Sequence, residues 1–116
     1  MSEVTLYHNP RCSKSRQTLA LLRDRGIEPE IIEYLKTPPD AATISDFLDK
    51  LGIRAIELIR RKEAPFAKLG LASSEDNDAA LIAAMALNPI LIERPIVVAG
   101  EDARIGRPPE AVLDIL

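Results

Sequence analysis

Apolar and polar positions along this chain switch between a period of two and a period near 3.6, and the switches mark its elements. The short apolar run Val4-Thr5-Leu6-Tyr7 predicts a strand over residues 3–8. The next stretch carries Leu19 and Leu22 at helical spacing, which predicts a helix over 13–25 that Gly26 ends by offering a left-handed stop. Ile31-Ile32-Glu33-Tyr34 reads as a second strand. Strand, helix, strand in so short a span is a βαβ unit, with parallel strands and a right-handed crossover.

Thr37-Pro38-Pro39-Asp40 then signals the start of a helix, with Asp40 or Thr37 able to cap it. Ile44, Phe47, Leu48 and Leu51 recur at helical spacing, and Gly52 closes the segment. A second helical piece is expected over 54–61, with Ile56 and Ile59 on one side and Arg60-Arg61-Lys62 at its end. The pattern breaks between 63 and 75, where Pro65, Gly70 and two serines predict a loop with a turn of helix around Phe66. Ser74 or Asp78 starts the next helix, whose Leu81, Ile82 and Met85 face inward until Asn88-Pro89 stops it.

The last third reads as a hairpin. Ile96-Val97-Val98 is one strand, Gly100-Glu101-Asp102 a tight connection, and Ala103-Arg104-Ile105 the antiparallel partner. Pro108-Pro109-Glu110 opens a terminal helix carrying Val112, Leu113 and Leu116. The order βαβ, helices, ββα is that of an α/β, thioredoxin-like fold: a four-stranded mixed sheet with flanking helices and an inserted helical block. A length of 116 residues fits one domain spanning 1–116, and no internal repeat, low-complexity tract or linker interrupts it.

Composition narrows the class. With 47% hydrophobic and 28% charged residues the chain is globular in type. A net charge of −3 argues against general nucleic-acid affinity, although a local basic cluster can still hold a small anion. One cysteine allows no internal disulfide, so a reducing compartment, the cytoplasm, is expected. Met1-Ser2-Glu3 shows no basic segment leading into an apolar one, and no later run approaches membrane-spanning length. One Cys and one His cannot close a structural zinc shell, so no metal is expected.

Candidate chemistry concentrates in His8-Asn9-Pro10-Arg11-Cys12-Ser13-Lys14-Ser15-Arg16, which holds the chain's only cysteine and only histidine. A lone cysteine is more often a small buried hydrophobe than a nucleophile. Here it falls on a predicted strand-to-helix turn, where unfilled backbone N–H groups favour negative charge, and Arg11, Lys14 and Arg16 lie close in sequence. Each of those cations read singly is a solvated surface charge; together they are candidates for tuning the thiol or meeting a partner, as is Asn9. His8 either makes an ordinary hydrogen bond at the strand end or lowers the thiol pKa, directly or through Ser15 or Asn9. Ser15 stands where a C-x-x-C pair would have its second cysteine, and it is equally placed to cap the helix. Without that second cysteine, a covalent intermediate on Cys12 must be resolved by another molecule's thiol. The cysteine-phosphatase pattern fails, because Thr18 stands where its arginine is needed. An oxyanion would therefore be held by arginines from elsewhere and by amides at the helix start. Arg60, Arg94 and Arg107 are far apart in sequence, but in a thioredoxin-like fold the loops carrying Arg94 and Arg107 approach the first helix, and Arg94-Pro95 is a candidate cis peptide.

These motifs resemble the glutaredoxin-coupled arsenate reductases of bacteria. The likeness is carried by Tyr7-His8-Asn9-Pro10-x-Cys12, Ser15-Arg16, Leu58-Ile59-Arg60, Leu69-Gly70-Leu71, Asn88 to Val98 and Arg107-Pro108-Pro109-Glu110. The resemblance implies that Cys12 is the nucleophile, that Arg60, Arg94 and Arg107 are oxyanion ligands, and that Pro95 is cis. It also implies arsenate as substrate, glutathione as co-substrate, glutaredoxin as partner and no tightly bound cofactor. The charge and hydropathy above add the expectation of a protein that binds neither nucleic acid nor membrane, and a monomer is expected. The chain has Cys12-Ser13-Lys14-Ser15 where well-studied members have Cys-Gly-Thr-Ser, and it ends at Leu116 without their C-terminal extension, so it resembles a short subgroup. Two other readings follow from related branches: an Spx-type interaction protein, whose usual C-x-x-C switch Ser15 removes, and a glutathione-linked thiol oxidoreductase.

Overall fold

A computed structural model describes residues 3–116; Met1 and Ser2, read above for a targeting segment, lie outside the described residues. The chain forms two compact units, one from its start to Thr37 together with Arg94–Leu116, the other from Pro38–Glu93.

The first unit is the sheet. Strands β1 (Val4–His8), β2 (Glu30–Glu33), β3 (Ile96–Ala99) and β4 (Asp102–Ile105) lie in the order β2-β1-β3-β4. β1 runs parallel to β2 and antiparallel to β3, and β4 returns antiparallel to β3, as the βαβ and hairpin patterns predicted. Helix α1 (Ser13–Asp24) is the crossover. Its buried Leu22 meets Leu6 of β1, Val97 of β3 and Val112 of the C-terminal segment in a fully buried cluster. Each such side chain contributes roughly 1.5–3 kcal/mol by leaving water, whereas an exposed ion pair such as Arg23–Glu28 contributes about 0–1 kcal/mol, so the cluster sets where α1 lies. Gly26 takes φ 76° just past the helix and lets the chain turn back into β2.

The C-terminal segment differs from the expected α-helix. Pro109–Ile115 is a 3₁₀ helix, preceded by extended Pro108. Two prolines supply no N–H at its start, and seven residues are too few to build an α-helical ladder on its own nucleus.

The second unit is helical: α2 (Ala41–Leu51), α3 (Ala55–Leu58), α4 (Ala64–Lys68) and α5 (Asp78–Leu87), with short 3₁₀ turns at Leu71–Ser74 and Pro89–Leu91. Asp40 caps α2 through the Thr43 amide at 2.8 Å, and Asn77 caps α5 through the Ala80 amide. Ile44 and Phe47 of α2 and Leu81 and Met85 of α5 are buried in its interior. The helix expected over 54–61 stops at Leu58. Ile59 turns extended and bridges Ile92, the Arg60 amide donates to the Leu91 carbonyl at 2.7 Å, and the Glu93 amide donates to the Leu58 carbonyl at 3.0 Å. Pairing with 91–93 thus takes over from the helical ladder just before Arg60.

Gly106 is the most closely packed glycine of the sheet unit. A Cβ built there would lie 2.5 Å from Thr18 Oγ1 and 2.7 Å from Pro95 Cγ, and the Gly106 amide donates to the Pro95 carbonyl at 2.9 Å. Gly106→Ala is therefore expected to cost about 1–3 kcal/mol by overpacking, read as a lower urea midpoint at unchanged slope; an unchanged midpoint would show that the contact gives way freely.

Candidate active site

The turn after β1 is built by local bonds. Asn9 Oδ1 accepts from the Arg11 amide at 3.0 Å, and the Asn9 carbonyl accepts from the Cys12 amide at 3.0 Å. Cys12 thereby takes the N-cap position of α1, with extended backbone at φ −92°, ψ 125°, and its carbonyl accepts the Arg16 amide. The residue is 9% exposed. A thiol in this position closes no regular cap hydrogen bond, yet the first-turn amides still favour a charged sulfur.

Burial acts first on the Cys12 thiol and raises its pKa. Against it stand the Ser15 amide, the Arg94 side chain as donor, the Lys14 amide and the Arg94 charge, and together they outweigh burial. The thiol therefore titrates below its ordinary value, and a larger fraction is thiolate at neutral pH.

Arginines distant in sequence reach the sulfur. Arg107 Nη2 stands 3.7 Å from Cys12 Sγ, and Arg107 Nε donates to the Arg94 carbonyl at 2.8 Å. The Arg94–Pro95 and Arg107–Pro108 peptides are both cis. The nearer cations act differently. The Arg16 guanidinium donates to the Pro10 carbonyl at 2.9 Å, Arg11 is exposed, and Lys14 helps the thiolate through its backbone.

His8 touches Ser15 instead of a charged partner. His8 Nδ1 lies 2.6 Å from Ser15 Oγ, which also accepts from the Asn9 amide at 3.0 Å, and both side chains are buried. Burial lowers the His8 pKa, Glu33 opposes it, and Arg23 and Arg16 add to the lowering. A neutral ring with Nδ1 as acceptor and the Ser15 hydroxyl as donor satisfies both groups. The ring thus fixes Ser15, whose amide is the strongest of the effects favouring the thiolate.

Arg60 belongs to the helical unit. Its Nη1 bonds Glu93 Oε1 at 3.1 Å, and its Nε lies 3.3 Å from Glu63 Oε2. Within the sheet unit, the structure joins Cys12, Ser15, Arg94 and Arg107, with His8 and Asn9 one bond behind Ser15. Sequence reading missed the amides of Lys14 and Ser15 as individual donors, though a cysteine at an N-cap position implies them. It also missed Gly106, which only the packing of three distant segments reveals. Among the described residues, no group of three or more His, Cys, Asp or Glu side chains is placed to hold a metal ion, and no helix is long and apolar enough to cross a membrane.

Comparison with known proteins places this site in context. Residues 7–115 match the model of the ArsC family. An uncharacterized protein, YfgD, of Escherichia coli strain K12 is 58% identical over 98% of this chain and 97% of its own. The arsenate reductase of Rhizobium meliloti strain 1021 is 50% identical, over 97% of this chain and 81% of its own. A solved structure of the arsenate reductase from Vibrio cholerae superposes with a TM-score of 0.95 at 50% identity, covering 99% of this chain and 98% of that one.

Two measurements check the electrostatics. The pH midpoint of Cys12 alkylation is expected below that of a free thiol, and to rise in Arg94→Ala; a midpoint that ignores Arg94 would refute its role. For His8 the folded pKa is depressed, so below its ordinary value of 6.5 the unfolded chain takes up a proton that the folded one resists. Stability should fall as pH drops through that value towards the folded one, and His8→Asn should flatten this part of a denaturation-versus-pH curve.

Proposed function

The chain belongs to the ArsC family, and on that premise we propose that it reduces arsenate to arsenite with the Cys12 thiolate as nucleophile. The observation that carries this reading is a depressed thiol beside two arginines, Arg107 at 3.7 Å from the sulfur and Arg94 donating to it. A sulfur held in this way is both a nucleophile and a marker of where an anion is welcome.

Arsenate docks with its oxygens toward Arg94 and Arg107, whose planar guanidinium groups match a tetrahedral oxyanion. The thiolate attacks arsenic, an As–S bond forms, and water or hydroxide leaves. Negative charge then stays on the arsenic-bound oxygens, so the arginines that stabilised the bare sulfur stabilise the intermediate. Glutathione adds to the arsenic next, and a second oxygen leaves as water. A glutaredoxin thiolate then attacks the glutathione sulfur, the arsenic–sulfur bond to glutathione breaks with its electron pair left on arsenic, and glutaredoxin carries the glutathione away as a mixed disulfide. Water displaces the reduced arsenic from Cys12, and arsenite departs with the thiol restored. A single cysteine supports external thiols as the electron source, and the same unpaired thiol supports a cytoplasmic setting. Arg60 is carried as a third oxyanion ligand on the family resemblance, and the protein is taken as one working domain.

With glutathione and glutaredoxin supplied, the protein is expected to yield arsenite from arsenate, and Cys12→Ser to abolish it. Arg107→Ala should lower kcat/KM about ten- to a hundredfold, the effect of one charged donor worth about 1.5–3 kcal/mol. No arsenite under saturating thiols, or turnover that survives Cys12→Ser, would sink the reading.

A further inference from the structure

A cleft of about 220 Å³ opens where the parallel strands β1 and β2 end side by side, with His8 in register with Glu33. One wall is His8-Asn9-Pro10-Arg11, the stretch leading directly into Cys12, and the Asn9 carbonyl in that wall accepts the Cys12 amide. The other wall is Glu33, Leu35 and Lys36. Two of these groups are cations, one is a carboxylate, and Leu35 and Pro10 are exposed apolar surface between them. His8, its pKa lowered first by burial, adds no charge at neutral pH.

Arg11, Glu33, Leu35 and Lys36 have no part in the oxyanion chemistry, while His8 and Asn9 enter it only by holding Ser15 and the Cys12 turn. An intermediate on the lone Cys12 needs a thiol from outside, and one wall of this cleft is the stretch that leads directly into Cys12. We propose that the cleft is a subsite for a small zwitterionic peptide thiol, with its carboxylates on Arg11 and Lys36 and its ammonium on Glu33. This rests on the arsenate reduction argued above and names where its thiol co-substrate binds. The cleft's own ion pair does not stand in the way. Lys36 Nζ and Glu33 Oε1 are 3.5 Å apart with side chains 78% and 40% exposed, a pair cheap to exchange for ligand groups of the same signs. The volume also suits part of a tripeptide better than a single oxyanion, since ligand pockets of a few hundred Å³ hold molecules of several heavy atoms.

The probe is S-methylglutathione, which keeps the charges but has no free thiol. Added to the otherwise intact protein, it should shift the backbone amide resonances of Asn9, Arg11, Leu35 and Lys36, and Lys36→Gln and Arg11→Gln should each weaken its binding about two- to fivefold. In turnover, the same variants should raise KM for glutathione by a similar factor while KM for arsenate moves less. Exchange of glutathione for uncharged 2-mercaptoethanol should erase the difference between variants and wild type. Shifts confined to other surfaces, or binding that ignores both substitutions, would overturn the subsite. A raised KM for glutaredoxin with none for glutathione would also overturn it, in favour of a protein-docking face. Because the resonance shifts need no catalysis, they judge the subsite even if arsenite formation fails, and arsenite formation with unaltered glutathione binding would leave the reduction standing without the subsite.

Discussion

A negative sulfur with little access to water is unstable unless fixed donors replace the lost solvent, and the sheet unit is arranged to meet that requirement at Cys12. Burial alone would keep the thiol protonated. The Ser15 and Lys14 amides and the Arg94 side chain reverse the balance, with Arg107 Nη2 at 3.7 Å from the same atom. These donors are rigid for different reasons. The amides belong to the first turn of α1, and Arg107 is tied to the Arg94 carbonyl. Donors already in place need little reorganisation when charge moves from sulfur to an attached oxyanion.

The topology explains how residues far apart in sequence meet. β1 lies inside the sheet between β2 and β3, so the turn leaving it is flanked by the ends of its neighbours. Pro95 precedes β3 and Gly106 follows β4, and the two are joined by the bond from the Gly106 amide to the Pro95 carbonyl. Thr18 of α1 and the Pro95 ring both crowd the place a Gly106 Cβ would take. The geometry around the sulfur is therefore held by a backbone bond and by one residue with no room for a side chain.

The βαβ unit and the hairpin were legible because each rests on a local pattern: apolar alternation, a glycine stop after α1, and a tight connection at Gly100. Two elements were not. The helix over 54–61 looked continuous because its apolar spacing is helical, but Ile59 and Arg60 find backbone partners at Ile92 and Leu91, which no local signal announces. The terminal segment carried helical spacing too, and its prolines and brevity held it to a 3₁₀ form. At the site, Cys12 and its place on a strand-to-helix turn were readable, while the individual partners of the nearby cations were not. Lys14 was singled out for its charge and acts through its amide; Arg16 was singled out beside the thiol and bonds the Pro10 carbonyl. His8 was read as making an ordinary hydrogen bond or acting on the thiol directly or through Ser15 or Asn9, and its ring lies 2.6 Å from Ser15 Oγ with its pKa lowered by burial. A charge acts where the fold puts it, and proximity along the chain does not decide that.

The central claim is that one sulfur and the arginines beside it form a single oxyanion-reducing centre. Its most direct test is a crystal of the protein soaked in arsenate, with arsenic located by its anomalous scattering. The account predicts arsenic bonded to Cys12 Sγ, with its oxygens on the Arg94 and Arg107 guanidinium groups. Arsenic found away from Cys12, or bonded there with neither arginine on its oxygens, would contradict it.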